Sequence, residues 1–356
     1  MFKKTLVKDF CWKSLYDESM VHGPTELRQM YGVEKGSSFY VDGSHMGDVI
    51  EGLYYRLNSQ DYLGQDIDPQ SKNLAIGCSV SAGIGLYYKW TWPYMLSELL
   101  GESVNNVSAP GGSMSVILDE LLKYLNKYSA PKNLYILAPD MYREYFLQVT
   151  NKKLNKWQIS WESSIQEYVR RGPNGESIPL EIVDMYNKKR TLPVEHGVAS
   201  FARSLARIVS LCNILDINLK ISSWDPISFY FLKSNVRDKM CDRLYGYDYE
   251  DYILNPGEID RDRKNGLSIE DLTQMGFVSG YKLEPYLKFN QYLNEMFDDS
   301  TLISGAIEVA LDRKHFGVSF HLMYLEQFIN RRLEKYELES IIHQPTYDKN
   351  ILTIKH

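Results

Sequence analysis

Four short apolar runs, each followed by turn residues and separated by stretches of helical spacing, constrain this chain more than any other feature. Lys72-Asn73-Leu74-Ala75-Ile76-Gly77 is short and ends at glycine, so it reads as a buried strand. Val104-Asn105-Asn106-Val107-Ser108, Asn133-Leu134-Tyr135-Ile136-Leu137-Ala138 and Asn218-Leu219-Lys220-Ile221-Ser222-Ser223-Trp224 read as the second, third and fourth. Between them, Trp92 to Leu100, Met114 to Tyr128 and Val198 to Leu215 carry apolar residues at helical spacing. Such alternation predicts an α/β fold, a parallel sheet with helices on both faces and ligands at the strands' carboxyl ends. Ser79, Gly111, Asp140 and Asp225 all fall at or just beyond such ends.

The chain's 356 residues, 44% apolar and 24% charged, suffice for one sizeable core with insertions or for two domains. A net charge of −6 argues against nucleic-acid binding, which needs a surplus of Lys and Arg. No apolar stretch approaches the roughly 20 residues that cross a bilayer, so no membrane partner is expected. The basic start is interrupted by Lys8, Asp9 and Lys13 before an apolar signal region forms, which predicts no secretory leader. Cys11, Cys78, Cys212 and Cys241 are scattered without a C-x-x-C pair, so free thiols are expected rather than a zinc site or disulfides. No cofactor or metal is implied. The 27 tyrosines suit half-buried surfaces and hint at homo-oligomeric or other assembly.

The remaining chain divides around this alternation. Residues 1–70 read as an N-terminal extension packed on the core, 71–335 as the α/β domain, and 336–356 as an extended or loose tail. Residues 147–195, polar with a turn at Arg170-Arg171-Gly172-Pro173-Asn174-Gly175, and 231–300, with the acidic tyrosine run Tyr245–Tyr252, read as insertions on the sheet's rim. A last helix is expected from Val318 to about Leu338. The chain shows no internal repeat and no low-complexity tract.

Ser79 lies in Ile76-Gly77-Cys78-Ser79-Val80-Ser81-Ala82-Gly83-Ile84-Gly85, straight after the first strand, where backbone N–H groups can face a developing oxyanion. Far downstream stands Asp312-Arg313-Lys314-His315-Phe316-Gly317. Together these supply the hydroxyl, imidazole and carboxylate that acyl transfer needs. Each also has a plainer reading: Ser79 and Asp312 as turn residues, His315 as a surface histidine, Gly111 as a Pro-Gly turn residue. For Asp140 it is a helix cap, for Arg143 a solvated ion pair and for Cys78 packing. His321 shares a helix face with Tyr324 and Phe328 by spacing, which favours a core or supporting role. Trp224-Asp225 can simply end its strand.

Over roughly residues 71–146, 196–226 and 300–335 the chain resembles the SGNH (GDSL-like) hydrolases, flavodoxin-like three-layer α/β/α esterases, lipases and carbohydrate deacetylases. Gly77-Cys78-Ser79 with Gly83 and Gly85 is similar to the family's Gly-Asp-Ser block, Asn106-Val107-Ser108-Ala109-Pro110-Gly111 to its Asn-x-Gly-x-x-Gly turn, and Asp312-x-x-His315 with Gly317 and His321 to its last block. The resemblance implies Ser79 as nucleophile, His315 as general base, Asp312 as the acid orienting the imidazole, and the Ser79 and Gly111 N–H groups as oxyanion hole. A carboxylate three residues before a histidine can reach Nδ1–H, leaving Nε2 for the serine proton. The chain departs from the pattern twice. Cys78 replaces the block's aspartate, and Leu137-Ala138-Pro139-Asp140 replaces Gly-x-Asn-Asp, so Pro139 stands where a side-chain donor is expected. Arg143 can supply a guanidinium there, with Asp140 beside it, as a substrate or oxyanion contact.

The expected activity is therefore that of a serine esterase or carbohydrate O-deacetylase acting on a small-molecule or glycan ester. The alternative is a catalytically weak or inactive SGNH-like scaffold acting as a phage virion or structural component, since members with a Pro-Asp-x-x-Arg block look like those encoded by tailed phages. In that case virion neighbours are the partners. The expected location is a host cytoplasm or a virion. A third reading is a carbohydrate-binding module that stacks sugars on Tyr and Trp.

Overall fold

Three of the apolar runs begin with one signature: Asn73-Leu74-Ala75-Ile76, Asn133-Leu134-Tyr135-Ile136 and Asn218-Leu219-Lys220-Ile221. In the computed structural model they lie side by side. It describes residues 34, 36–45, 48–141, 143–150, 153–160, 195–225, 228, 232, 284–297, 303–307, 310–311, 315–343 and 352–355. In chain order the elements are β1 (Ser38–His45), β2 (Asp48–Arg56), β3 (Asn73–Gly77), α1 (Ser79–Ala82), α2 (Trp92–Leu100), β4 (Val104–Asn106), α3 (Met114–Lys127), β5 (Asn133–Ala138), β6 (Arg143–Thr150), β7 (Lys153–Ser160), α4 (Glu195–Leu215), β8 (Asn218–Ser223), α5 (Glu284–Met296), α6 (Val318–Ile329), α7 (Lys335–Ile341) and β9 (Leu352–Lys355).

The central sheet is parallel, with strand order β4-β3-β5-β8 among the described residues. The signature asparagines are in register across it. Asn218 Nδ2 donates to Asn133 Oδ1 (3.1 Å), Asn133 Nδ2 to Asn73 Oδ1 (2.8 Å), and Asn73 Nδ2 to Glu102 (3.1 Å). A one-residue slip would break this ladder and turn every apolar side chain to the wrong face, so both patterns specify one register.

Side chains alternate across the sheet, as the period of two requires. Leu74, Ile76, Leu134, Ile136, Leu219 and Ile221 pack with Ile117 and Leu121 of α3 and with Leu205 and Ile208 of α4. Ala75, Tyr135 and Leu137 point the other way, into Trp92 and Met95 of α2 and Leu322 and Phe328 of α6. Three layers result, α/β/α. The helix linking β3 to β4 lies on one face, and those linking β4 to β5 and β5 to β8 lie on the other. The winding therefore reverses between β3 and β5, and reversal opens a crevice at the carboxyl ends of those strands.

Other parts of the chain depart from expectation. The second strand stops at Asn106 rather than Ser108, because the Asn106 side chain accepts from Ser108 N–H and donates to the Ser81 carbonyl. The stretch read as a polar insertion from 147 begins as an antiparallel hairpin, β6 on β7. One long last helix is instead two. Asn330, at φ 55°, ends α6 in the left-handed conformation that asparagine tolerates, and a Glu334–Glu337 capping box starts α7. The tail is not loose throughout: β9 pairs parallel with β1, Phe39 opposite Leu352. The Arg170–Gly175 turn and the Tyr245–Tyr252 run lie outside the described residues. Leu53, Tyr55, Leu57 and Leu63 pack on Ala82 and Ile84, and Tyr55 Oη accepts from Gly85 N–H (2.7 Å), so this part of the N-terminal segment braces the turn after Ser79. Among the described residues no helix is long and apolar enough to cross a membrane.

Candidate active site

β3 ends at Gly77, and extended Cys78 leads directly into α1, whose first residue is Ser79. The Ser81 side chain folds back over Gly77, where a Cβ would lie 2.2 Å from Ser81 Oγ. Only glycine allows that approach. Ser81 Oγ also accepts from Trp92 Nε1–H (3.1 Å), and Gly83 N–H closes α1 onto the Ser79 and Val80 carbonyls. Ser79 is thus held on a short, braced turn and is 8% exposed.

The loop after β4 lies against this turn. Ala109 N–H donates to the Gly77 carbonyl (3.0 Å), and Gly112 N–H turns back to the Ala109 carbonyl (2.9 Å). Between them Gly111 is half-buried at φ 71°, a conformation glycine adopts without a Cβ clash. Ser108 Oγ is buried and has no hydrogen-bond partner among the described residues.

Beyond β5, Pro139 is followed by Asp140, whose carboxylate pairs with Arg143 Nε at 2.5 Å. No helix follows for Asp140 to cap; β6 begins at Arg143. The guanidinium carbon sits 5.1 Å from the centre of the Trp224 ring. Asp140 is buried, and its Oδ1 has no hydrogen-bond partner among the described residues. Asp225 has a structural job: its Oδ2 accepts from Ser228 N–H and Oγ–H, while Ser228 Oγ accepts from Met141 N–H, tying together the ends of β5 and β8.

Trp224, read from sequence as a strand terminator, is where these loops meet. Its Nε1–H donates to Cys78 Sγ (3.1 Å), its ring stands 5.9 Å from Phe316, and Arg143 covers its face. Cys78 and Phe316 are the chain neighbours of Ser79 and His315. One indole therefore touches both stretches that the sequence singled out. Its signal was an aromatic residue one step past the fourth strand, close beyond the level of Ala138.

The His315 segment is fixed to the same region. Its carbonyl accepts from Ala310 N–H (3.0 Å), and Leu311 N–H donates to the Gly85 carbonyl (2.9 Å), six residues beyond Ser79. His315 is half-buried. Asp312 lies outside the described residues. His321 is wholly buried on α6, with Nδ1 accepting from Trp92 N–H (3.0 Å). Burial, and secondarily the nearby His315, push its pKa down to about 3, so it is a neutral core histidine.

The Ser79 turn, the Gly111 loop and the Asp140–Arg143 pair thus lie beyond the carboxyl ends of β3, β4 and β5, and the His315 segment is tied to the Ser79 turn through Trp224 and Gly85. Among the described residues no group of three or more His, Cys, Asp or Glu is arranged to hold a metal ion. Cys78 and Cys212 are buried and form no disulfide among the described residues. No family model matches the chain, and no curated protein matches it.

Proposed function

We propose that the protein is a serine ester hydrolase of SGNH-like type, cleaving an ester or O-acetyl group through an acyl-enzyme. The observation that carries this reading is the Trp224 indole, bonded to Cys78 and packed on Phe316, the residues flanking Ser79 and His315. In the proposed reaction Ser79 Oγ attacks the acyl carbon while His315 Nε2 takes its proton. The Ser79 and Gly111 N–H groups receive the charge that develops on the carbonyl oxygen. His315 then returns the proton to the departing alcohol. Water, deprotonated by the same imidazole, releases the acid and restores the serine. Asp312 would hold the imidazole by Nδ1–H. A glycan ester is the substrate class that the family resemblance suggests.

Pro139 favours a second reading. A family donor is missing there, which suits a scaffold that has kept the fold without the reaction, with virion neighbours as partners. Hydrolysis of 4-nitrophenyl acetate by the full chain separates the two. Ser79→Ala and His315→Ala should each lower turnover by about 10³-fold or more. Turnover that survives both substitutions is background reactivity, and its persistence would remove the hydrolase reading.

A further inference from the structure

We infer that Tyr55 is a positioning residue: from β2, in the N-terminal strand pair, it holds the His315 segment against the Ser79 turn. Its effect on turnover rests on the hydrolase reading; the link itself does not. The joint is Gly85. Ile84 N–H donates to the Ser79 carbonyl (3.1 Å), which ties the residue before Gly85 to the nucleophile turn. Gly85 N–H then donates to Tyr55 Oη (2.7 Å), and the Gly85 carbonyl accepts from Leu311 N–H (2.9 Å). One residue before Leu311, Ala310 N–H donates to the His315 carbonyl (3.0 Å). Three of these bonds lead from Ser79 to His315, and the fourth, to Tyr55, holds their midpoint.

The surroundings make this oxygen hard to replace. Gly85 is buried, and Tyr55 is 1% exposed in a cluster with Leu53, Leu57, Leu63, Ala82 and Ile84. An amide N–H enclosed by apolar side chains is costly unless it has an acceptor. Leu311 packs its side chain on the same cluster, so the His315 segment sits on the N-terminal strands by packing as well as through Gly85. Trp224, following β8, spans Cys78 and Phe316; Tyr55 supplies a second span between the same two stretches. A misplacement of about 1 Å can cost about 10²-fold in rate, so an anchor remote from the reacting atoms can set turnover.

The test is Tyr55→Phe in the full chain, which keeps the ring in its cluster and removes the oxygen. Amide hydrogen exchange should quicken by about 10-fold or more at Gly85, Ala310 and Leu311. With 4-nitrophenyl acetate, kcat per folded molecule should fall about 10-fold while KM stays within about 2-fold. Asn133→Ala, which loosens the amino ends of the sheet, controls for lost stability: it should leave both the exchange of those three amides and kcat at wild-type values. Unchanged exchange at Gly85 and Leu311 in Tyr55→Phe overturns the link. Faster exchange with unchanged kcat overturns the positioning role, as does an equal fall in kcat in Asn133→Ala. If Tyr55→Phe does not fold, Leu311→Ala takes its place, keeping the tyrosine and removing the segment's packing on the cluster. It should quicken exchange at Gly85 and Ala310, and wild-type exchange there overturns the proposal. A wild type without turnover removes the hydrolase reading, and exchange alone then decides the link.

Discussion

The two ends of the parallel sheet are built to opposite rules. At the amino ends of the strands, Asn73, Asn133 and Asn218 join side chain to side chain, and the ladder ends on Glu102. At the carboxyl ends, buried Ser108 Oγ and Asp140 Oδ1 have no partner among the described residues, Gly111 takes a left-handed conformation, and a cation lies over an indole. A satisfied polar row fixes register. An incompletely satisfied, tightly turned rim is where strain and perturbed groups collect in functional sites. The contrast teaches where stability and chemistry should separate under mutation.

The largest expected effect comes at the rim. Gly77→Val forces a side chain into Ser81, so it should destabilise by about 3 kcal/mol in urea unfolding and abolish activity with it. The next probes the core beneath the rim. His321 is held neutral below its ordinary value near 6.5, so the unfolded chain binds a proton that the folded chain refuses between that pH and about 3. Stability contributed by this group is complete above pH 6.5 and is lost as pH falls through that window, at about 1.4 kcal/mol per pH unit. His321→Asn, whose amide oxygen can still accept from Trp92 N–H, should flatten that slope in denaturation at pH 4–6.

Asn133→Ala breaks the middle of the ladder and should cost about 1–2 kcal/mol with hydrolysis unchanged. Trp224→Phe does the reverse: it keeps a ring beside Phe316 and Arg143 but loses the bond to Cys78. Its stability should stay within about 1 kcal/mol of wild type while kcat/KM falls about 10-fold. If Asn133→Ala lowers turnover and Trp224→Phe does not, the division between the two ends is wrong.

Much of the sheet could be read from sequence because its strands are local and buried on both faces. Leu74-Ala75-Ile76 and Leu134-Tyr135-Ile136-Leu137 are continuous apolar runs of strand length. The shared Asn-Leu-x-Ile openings even carried the register. The β6–β7 hairpin was harder, because Glu144-Tyr145-Phe146-Leu147-Gln148 mixes polar and apolar residues without a clean period. The pairing of β9 with β1 is non-local, and four residues of alternation name no partner. At the candidate site, the positions of Ser79, Gly111 and Asp140 beyond strand ends were legible because each follows an apolar run of strand length. Trp224 was not. Its part depends on which neighbours the fold assembles around it, and no spacing along the chain encodes contacts with residues 78, 143 and 316 together.

In the proposed reaction the braced serine at the end of β3 is the nucleophile and His315 serves it. Fluorophosphonate labelling of the full chain, with the modified residue located by mass spectrometry, tests it most directly. One adduct is expected, on Ser79, absent in Ser79→Ala and formed far more slowly in His315→Ala. A folded wild-type protein that takes no adduct, or takes it at another residue, would contradict it.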